Sequence, residues 1–259
     1  MVFIRSAPNS PMAKNPKWFE SREKNPRVGI AISAFGPLPT PFVTSLAEVM
    51  KAATFEGIVV DVMFDIKKPL DLSRNSCVKA LLKNEPDYIF FMDSDMVFPS
   101  NVLVSMMGQG KDILTGVYCH KLIPHTPVLK TLDRENKRYV RLLRYPKDKL
   151  FRVDGCGCGC LLVKSKVFKK LEEPWFKMTM AKSEDMYFCE KALQGGFEVW
   201  ADGRAECGHL SDYSAITPAQ FWRQEDTLKK QLERRAELEK GEGKMPTYAD
   251  YGGKTEEPR

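Results

Sequence analysis

Two carboxylates one residue apart, Asp93 and Asp95, stand at the end of Tyr88-Ile-Phe-Phe-Met92, an unbroken run of bulky β-forming residues. Such a run suits a central parallel strand covered on both faces, and in open α/β sheets ligands gather at the carboxyl ends of the strands. With an extended backbone the two carboxylates project to the same side, where they repel unless something positive joins them. A hard divalent cation holding a diphosphate is the natural partner. The plainer reading is an Asp-rich turn in which each side chain caps backbone N–H groups. A second acidic pair, Glu184-Asp185, follows Ser183 at the head of a helical pattern. Acids there either complement the helix dipole or serve as a base within reach of a hydroxyl proton.

Other residues have the same double character. Arg74 and Asn75 fall in the first turn of a helix predicted over 72–82, with Ser73 as a possible cap. A cation there opposes the positive end of the dipole, a cost that an anionic ligand or a surface salt bridge offsets. Asp65, at the end of a strand predicted over 58–64, either meets a nucleoside or caps the next turn. In Phe151–Val163, Cys156, Cys158 and Cys160 alternate with glycines, which places the cysteines on one strand face and the glycines on the other. Zinc-like Cys-x-x-Cys spacing is absent, so small packed residues are preferred over a metal cluster. Glycines such as Gly157 mark close approach of a ligand or another backbone. His209, one of three histidines, follows a glycine and is either a ligand or a structural side chain.

With 43% hydrophobic residues in 259, the chain can bury one substantial core. The net charge of +6 is diffuse, with some concentration in Lys121–Lys149. It favours anionic small molecules or acidic surfaces and is too dispersed for a nucleic-acid protein. Seven cysteines, an odd number, argue against a disulfide framework and for a reduced, cytoplasmic setting. The opening Met1-Val-Phe-Ile-Arg5 is too short for a secretory signal, and no apolar run approaches the ~20 residues of a membrane span, so a soluble protein is expected.

These groups must be positioned by alternating elements. Strands are expected over 27–35, 58–64, 88–92, 112–118 and 197–201, with Ser33 and Phe35 near the ligand edge of the first. Helices are expected from Thr40 or Thr44 to Lys51, with Val43, Leu46, Ala47 and Met50 on the apolar face, and over 72–82, 99–107, 165–171 and 183–193. A strand pair over 127–132 and 139–144 reads as an insertion on the ligand side. The pattern predicts a loosely ordered arm over 1–26, a folded domain over 27–213, a charged helical appendage over 214–240 that docks through Phe221, Trp222, Leu228 and Leu232, and a disordered tail over 241–259.

Taken in order, the motifs resemble those of the GT-A glycosyltransferases, and are similar to family-2-like nucleotide-sugar transferases. Asp93-Ser-Asp95 matches that family's metal-binding Asp-x-Asp, and Ser73-Arg-Asn75 the element that commonly precedes it. Asp154–Val163 resembles the Gly-containing strand beside the sugar site, Ser183-Glu-Asp185 the acidic motif of the acceptor-side helix, and Gly208-His209 a frequent metal-histidine position. Only Asp65 represents the acidic pair usual after the second strand. The resemblance implies an α/β fold with a Rossmann-like, mostly parallel central sheet flanked by helices and a smaller acceptor-side region. It implies an inverting, metal-dependent sugar transfer from a nucleotide-sugar to an acceptor hydroxyl on a glycan, lipid, protein or modified nucleic acid. Mn²⁺ or Mg²⁺ would be held by Asp93, Asp95 and His209. Asp185, or less favourably Glu184, would be the base, and Ser33, Phe35, Asp65, Arg74, Asn75, Asp93 and Gly157 would contact the donor. A nucleotidyltransferase and a non-catalytic nucleotide-sugar or metal-binding module are the competing readings.

Overall fold

The computed structural model describes residues 2–6, 25–211 and 215–239. Trp18 and Phe19 of the expected arm, Tyr213 at the expected domain end and the tail beyond 240 lie outside the described residues. The chain divides into two compact units, Met1–Pro218 and Ala219–Arg259.

The first unit opens with β1 (Val2–Ser6), then β2 (Arg27–Ala34), α1 (Thr40–Phe55), β3 (Val59–Ile66), α2 (Leu70–Leu82) and β4 (Tyr88–Met92). A short β5 (Met96–Val97) precedes α3 (Val102–Gly108) and β6 (Ile113–Val117). The insertion supplies β7 (Leu129–Asp133) and β8 (Arg138–Arg141), and β9 (Leu150–Val153) and β10 (Gly155–Cys156) follow it. The chain returns through β11 (Cys160–Lys164), α4 (Ser165–Lys170), α5 (Glu184–Gln194), β12 (Val199–Glu206), β13 (Gly208–Leu210) and β14 (Ala215–Ile216).

Eight strands form the central sheet in the order β1-β3-β2-β4-β11-β6-β12-β9. β3, β2, β4, β6 and β12 run one way; β1, β11 and β9 run the other. This is the mixed α/β architecture, with a mostly parallel sheet flanked by helices, that the alternating pattern predicts. The ends of the five co-directional strands share one edge, which carries the groups considered below.

Alternation on β4 explains why the run 88–92 is apolar throughout. Phe90 joins the core made with Val28, Ile30 and Ile32 of β2 and with Phe42, Leu46, Val49 and Ala53 of α1. Phe91, one residue on, points to the opposite face, where its ring meets Phe168 of α4 and Phe176. Both faces are dry, and each fully buried phenylalanine or leucine contributes about 1.5–3 kcal/mol of transfer free energy. α2 packs on the Phe91 side over Gly29, where an added Cβ would lie 2.9 Å from Leu81 Cδ2.

Four details differ from the sequence reading. Val2–Ser6 is an edge strand paired with β3, not part of a loose arm. The buried stripe of α1 is Phe42, Ser45, Leu46, Val49 and Ala53; Val43 and Ala47 are exposed, because the helix starts at Thr40 and the Phe42 side faces the sheet. α2 begins at Leu70 after Pro69, so Ser73 is inside the helix rather than its cap, and Arg74 and Asn75 lie beyond the first turn. The Cys-Gly stretch is not one strand: it breaks into β10, a connecting segment and β11, which belong to different sheets.

In the second unit, α6 (Pro218–Glu239, opening on the last residue of the first unit) is the predicted charged helix. Phe221 and Trp222 meet edge to face with centroids 5.1 Å apart. The side chains of Leu228 and Leu232 lie outside the described residues. No helix of the described residues is long and apolar enough to cross a membrane.

Candidate functional site

β4 stops at the carboxyl edge because its next residues form a tight turn, with the Met96 N–H donating to the Asp93 carbonyl at 3.2 Å. The turn feeds β5, which pairs with β13 so that Met96 lies opposite His209. The Leu210 N–H then donates to the Asp95 carbonyl at 2.7 Å. Residues far apart in sequence are thereby locked in register. Gly208 permits the approach, since a Cβ there would lie 2.6 Å from Val97 Cγ2.

His209 Nδ1 lies 2.8 Å from the Cys119 carbonyl, which can only accept, so Nδ1 carries the proton. In the neutral ring Nε2 therefore presents its lone pair to Asp95 Oδ2, 3.3 Å away. In that form two acceptors face one another, whereas a protonated ring donates from Nε2 to Oδ2. Lys121 Nζ donates to the same Oδ2 at 2.6 Å. Burial raises the Asp95 pKa, but with the His209 ring protonated the hydrogen bonds and charges of His209 and Lys121 outweigh it and bring it down to about 2.

Asp93 turns the other way, and the Arg74 guanidinium donates to its Oδ1 at 2.8 Å. The second arm of Arg74 pairs with Glu184 at the head of α5. Burial disfavours the Arg74 charge, yet Asp93 and Glu184 hold its pKa well above the ordinary value. Glu184 is itself buried, and that burial raises its pKa against the pull of Arg74, with Asp185 adding to the rise. Asp185 is half-buried; its Oδ1 accepts from the Met186 N–H at 2.6 Å and from the Ser183 hydroxyl, so Ser183 holds the N-cap position without capping the backbone. Oδ2 has no hydrogen-bond partner among the described residues.

Gly157 and Gly159 accommodate Tyr118. A Cβ on Gly157 would lie 2.0 Å from the Tyr118 hydroxyl oxygen, and that oxygen accepts from the Gly159 N–H at 3.0 Å. The Tyr118 ring meets His209 edge-on at 5.6 Å. Burial, then the charges of Asp93 and Asp185, push the tyrosine pKa well up, so the phenol stays neutral.

The predicted residues therefore separate. Asp95 and His209 are brought together, and Asp93, Arg74 and Glu184 form an adjoining buried network. Neither aspartate of the pair makes the backbone-capping bond of the Asp-turn reading. Among the described residues no group of three His, Cys, Asp or Glu side chains could hold a metal, so the three-residue set with Asp93 is not assembled, Asp93 being engaged by Arg74. Cys156 lies 3.8 Å from Cys189, whereas Cys160 lies 3.9 Å from Met106. Asn75 is not placed to receive a donor. Its amide nitrogen donates to the Asp71 and Phe176 carbonyls, and its oxygen accepts from the Trp175 and Phe176 N–H groups, so it is a clamp for that segment.

Ser33 and Asp65 lie at the shared edge, Ser33 accepting from the Ser73 hydroxyl at 2.7 Å and Asp65 paired with Lys68 at 2.8 Å. Phe35 follows β2 and is 63% exposed. Lys121 and Tyr118 were not singled out by motif. Their signal was the position of Tyr118 at a strand end and of Lys121 at the start of the basic insertion. The cavity of about 350 Å³ lined by Gly110, Lys111 and Trp200 sits at the opposite edge, where β6 and β12 begin, and contains none of these groups.

No family model and no curated protein matches the chain. Among solved structures it is similar to A197 from STIV, with a TM-score of 0.55 and 19% identity over 75% of this chain and 91% of that one. It also overlays on GalNAc-T7 with UDP, GalNAc and Mn²⁺, with a TM-score of 0.48 and 12% identity over 73% of this chain and 45% of that one. The second overlay spans less than half of its counterpart and adds nothing to the assignment; the first shows a shared fold.

Proposed function

We propose that this protein is a metal-dependent glycosyltransferase that moves a sugar from a nucleotide-sugar to an acceptor hydroxyl with inversion. The observation that carries the reading is the Asp95–His209 pair, 3.3 Å apart at the carboxyl edge of the sheet and two acceptor atoms whenever the ring is neutral. An imidazole lone pair aimed at a carboxylate calls for a cation between them, and the backbone-anchored Nδ1 is the usual support of a ligating histidine. Mg²⁺ is commonly held by one or two protein ligands with substrate phosphates completing the shell, which fits a two-residue site, and Mn²⁺ suits the same donors. When bound, the ion would supply Lewis-acid neutralisation of the leaving diphosphate. Lys121 adds a positive charge at the same carboxylate, and Arg74 fixes Asp93 and the head of α5 relative to it. Asp185, whose Oδ2 has no hydrogen-bond partner among the described residues, is the base that takes the acceptor proton; Glu184, buried against Arg74, positions the helix instead. Ser33, Phe35 and Asp65 border the space for the nucleoside, whereas the space beside Gly157 is taken by Tyr118.

Titration calorimetry with nucleoside diphosphates tests this. Mn²⁺ or Mg²⁺ should strengthen binding, and Asp95→Asn should remove most of that coupling while leaving the fold intact. Metal dependence equal to wild type in Asp95→Asn would take this residue out of the site, and turnover of no nucleotide-sugar by the wild-type chain would sink the transferase reading.

A further inference from the structure

The β7–β8 hairpin places two cations opposite one another without an ion-pair partner among the described residues. Lys130 and Arg141 are cross-strand partners in the antiparallel register, where like charges repel. Nearby cations are paired: Arg138 with Asp133 at 3.7 Å and Arg152 with Glu198 at 2.7 Å. Among the described residues Lys130 and Arg141 form no ion pair, and the Arg141 guanidinium donates to the Thr126 hydroxyl at 3.4 Å.

Their location links the hairpin to the candidate site. The Thr126 carbonyl accepts from the His120 N–H at 2.9 Å, and neighbouring Cys119 gives its carbonyl to His209. Lys130 is opposite Gly155 of β10, and a Cβ on Gly155 would lie 2.6 Å from the Met186 side chain, one residue beyond Asp185. His120 lies within the field of both cations: burial first, then Arg141, His209 and Lys130, lower its pKa, and Asp185 opposes them. The two charges thus stand on the α5 side of the site, while Lys121 attends Asp95.

We infer that Lys130 and Arg141 bind an anionic group, phosphate or carboxylate, carried by the acceptor. This rests on the glycosyltransferase reading for the word acceptor, but the anion site itself does not. A fixed anion relieves the cross-strand repulsion and holds the acceptor beside Asp185. Two charge-assisted hydrogen bonds give such a group its orientation.

The probes are inorganic phosphate, glucose 6-phosphate and glucose, titrated into the full chain already saturated with Mn²⁺ and a nucleoside diphosphate. Phosphate and glucose 6-phosphate should bind, and Lys130→Gln/Arg141→Gln should weaken both by about tenfold or more, the effect of losing one charge-assisted hydrogen bond. Nucleoside diphosphate affinity should not change. Unaltered phosphate binding in the double variant, or glucose binding as tightly as its phosphate, overturns the inference. So does a phosphate site that closes once the nucleoside diphosphate is bound, since the pair would then serve the donor. If no nucleoside diphosphate binds the wild-type chain, the glycosyltransferase reading fails separately, and titration of the phosphate probes alone still decides the anion site.

Discussion

Asp93 and Asp95 are one residue apart and have opposite surroundings. Asp93 belongs to a buried network in which Arg74, 3% exposed, ties β4 to α2 and, through Glu184, to α5. Asp95, with its side chain 41% exposed, faces a histidine lone pair and a mobile type of cation, the lysine ammonium. In the first place every charge has a fixed partner, so removing Arg74 strands the buried carboxylate of Glu184 and leaves Asp93, 28% exposed, only partly solvated. In the second, water can replace a lost partner. A motif treats the two carboxylates as equals; the tertiary environment makes one a brace and leaves the other open to a ligand.

The largest expected effect follows from that contrast. Arg74→Leu leaves Asp93 and buried Glu184 without their shared cation and should cost about 3–5 kcal/mol, read from urea unfolding. Asp95→Asn, with its side chain 41% exposed and its ion pairs screened by solvent, should cost clearly less, on the order of 1 kcal/mol. Equal unfolding curves for wild type and Arg74→Leu would mean that the network holds nothing together.

The next effect concerns the two acids of α5. Asp185→Asn preserves size and removes basicity, so sugar transfer should fall on the order of a hundredfold at unchanged donor affinity. Single-turnover kinetics with a labelled donor reads both quantities. Near-native transfer would return Asp185 to the role of an ordinary helix-start residue, leaving Glu184 as the other acid to test by the same substitution.

How much of this was legible in sequence differs between the two regions for a physical reason. The sheet and its crossovers could be read because burial on both faces of β4 demands an unbroken apolar run, and because Gly57 and Gly196, both at positive φ, end crossovers where other residues would be strained. Asp95 and His209 could be nominated by type and order. Which carboxylate meets Arg74 could not, since that depends on α2 beginning two residues earlier than Leu72 and on a contact spanning 110 positions between Arg74 and Glu184. The Cys-Gly alternation misled for a related reason. It satisfies the local strand period, but Gly157 and Gly159 are required by the Tyr118 side chain and Gly155 by Met186, long-range contacts with no local signature.

That contact gives a smaller test. Gly157→Ala would place a methyl 2.0 Å from the Tyr118 hydroxyl oxygen, which must move and disturb the edge contact with His209. Overpacking of this kind costs about 1–3 kcal/mol. Removing the hydroxyl in Tyr118→Phe should recover part of the loss, so the double variant should be more stable than the sum of the single effects predicts. Strict additivity in thermal unfolding would show that Tyr118 is not what demands the glycine.

The smallest effect is a difference in the sign of a pH slope. Asp95 has its folded pKa lowered from an ordinary 3.8 to about 2, so its contribution to stability is present above 3.8 and is lost as pH falls towards 2. Glu184 has its folded pKa raised from an ordinary 4.5, chiefly by burial. The folded state then holds the Glu184 proton more tightly than the unfolded state does. Its contribution is full below 4.5 and declines as pH rises through the folded value, the opposite sign in a window that does not overlap the first. Urea unfolding of wild type and Glu184→Gln between about pH 4 and about 7 isolates this slope, because the amide cannot titrate and still accepts from Arg74. The wild-type stability should fall relative to the variant as pH rises, while Asp95→Asn should track wild type across the same range. Parallel curves for wild type and Glu184→Gln would place the Glu184 carboxyl in a wetter setting than its contact with Arg74 implies, and would dissolve the distinction between brace and ligand on which the assignment of Asp185 as the base depends.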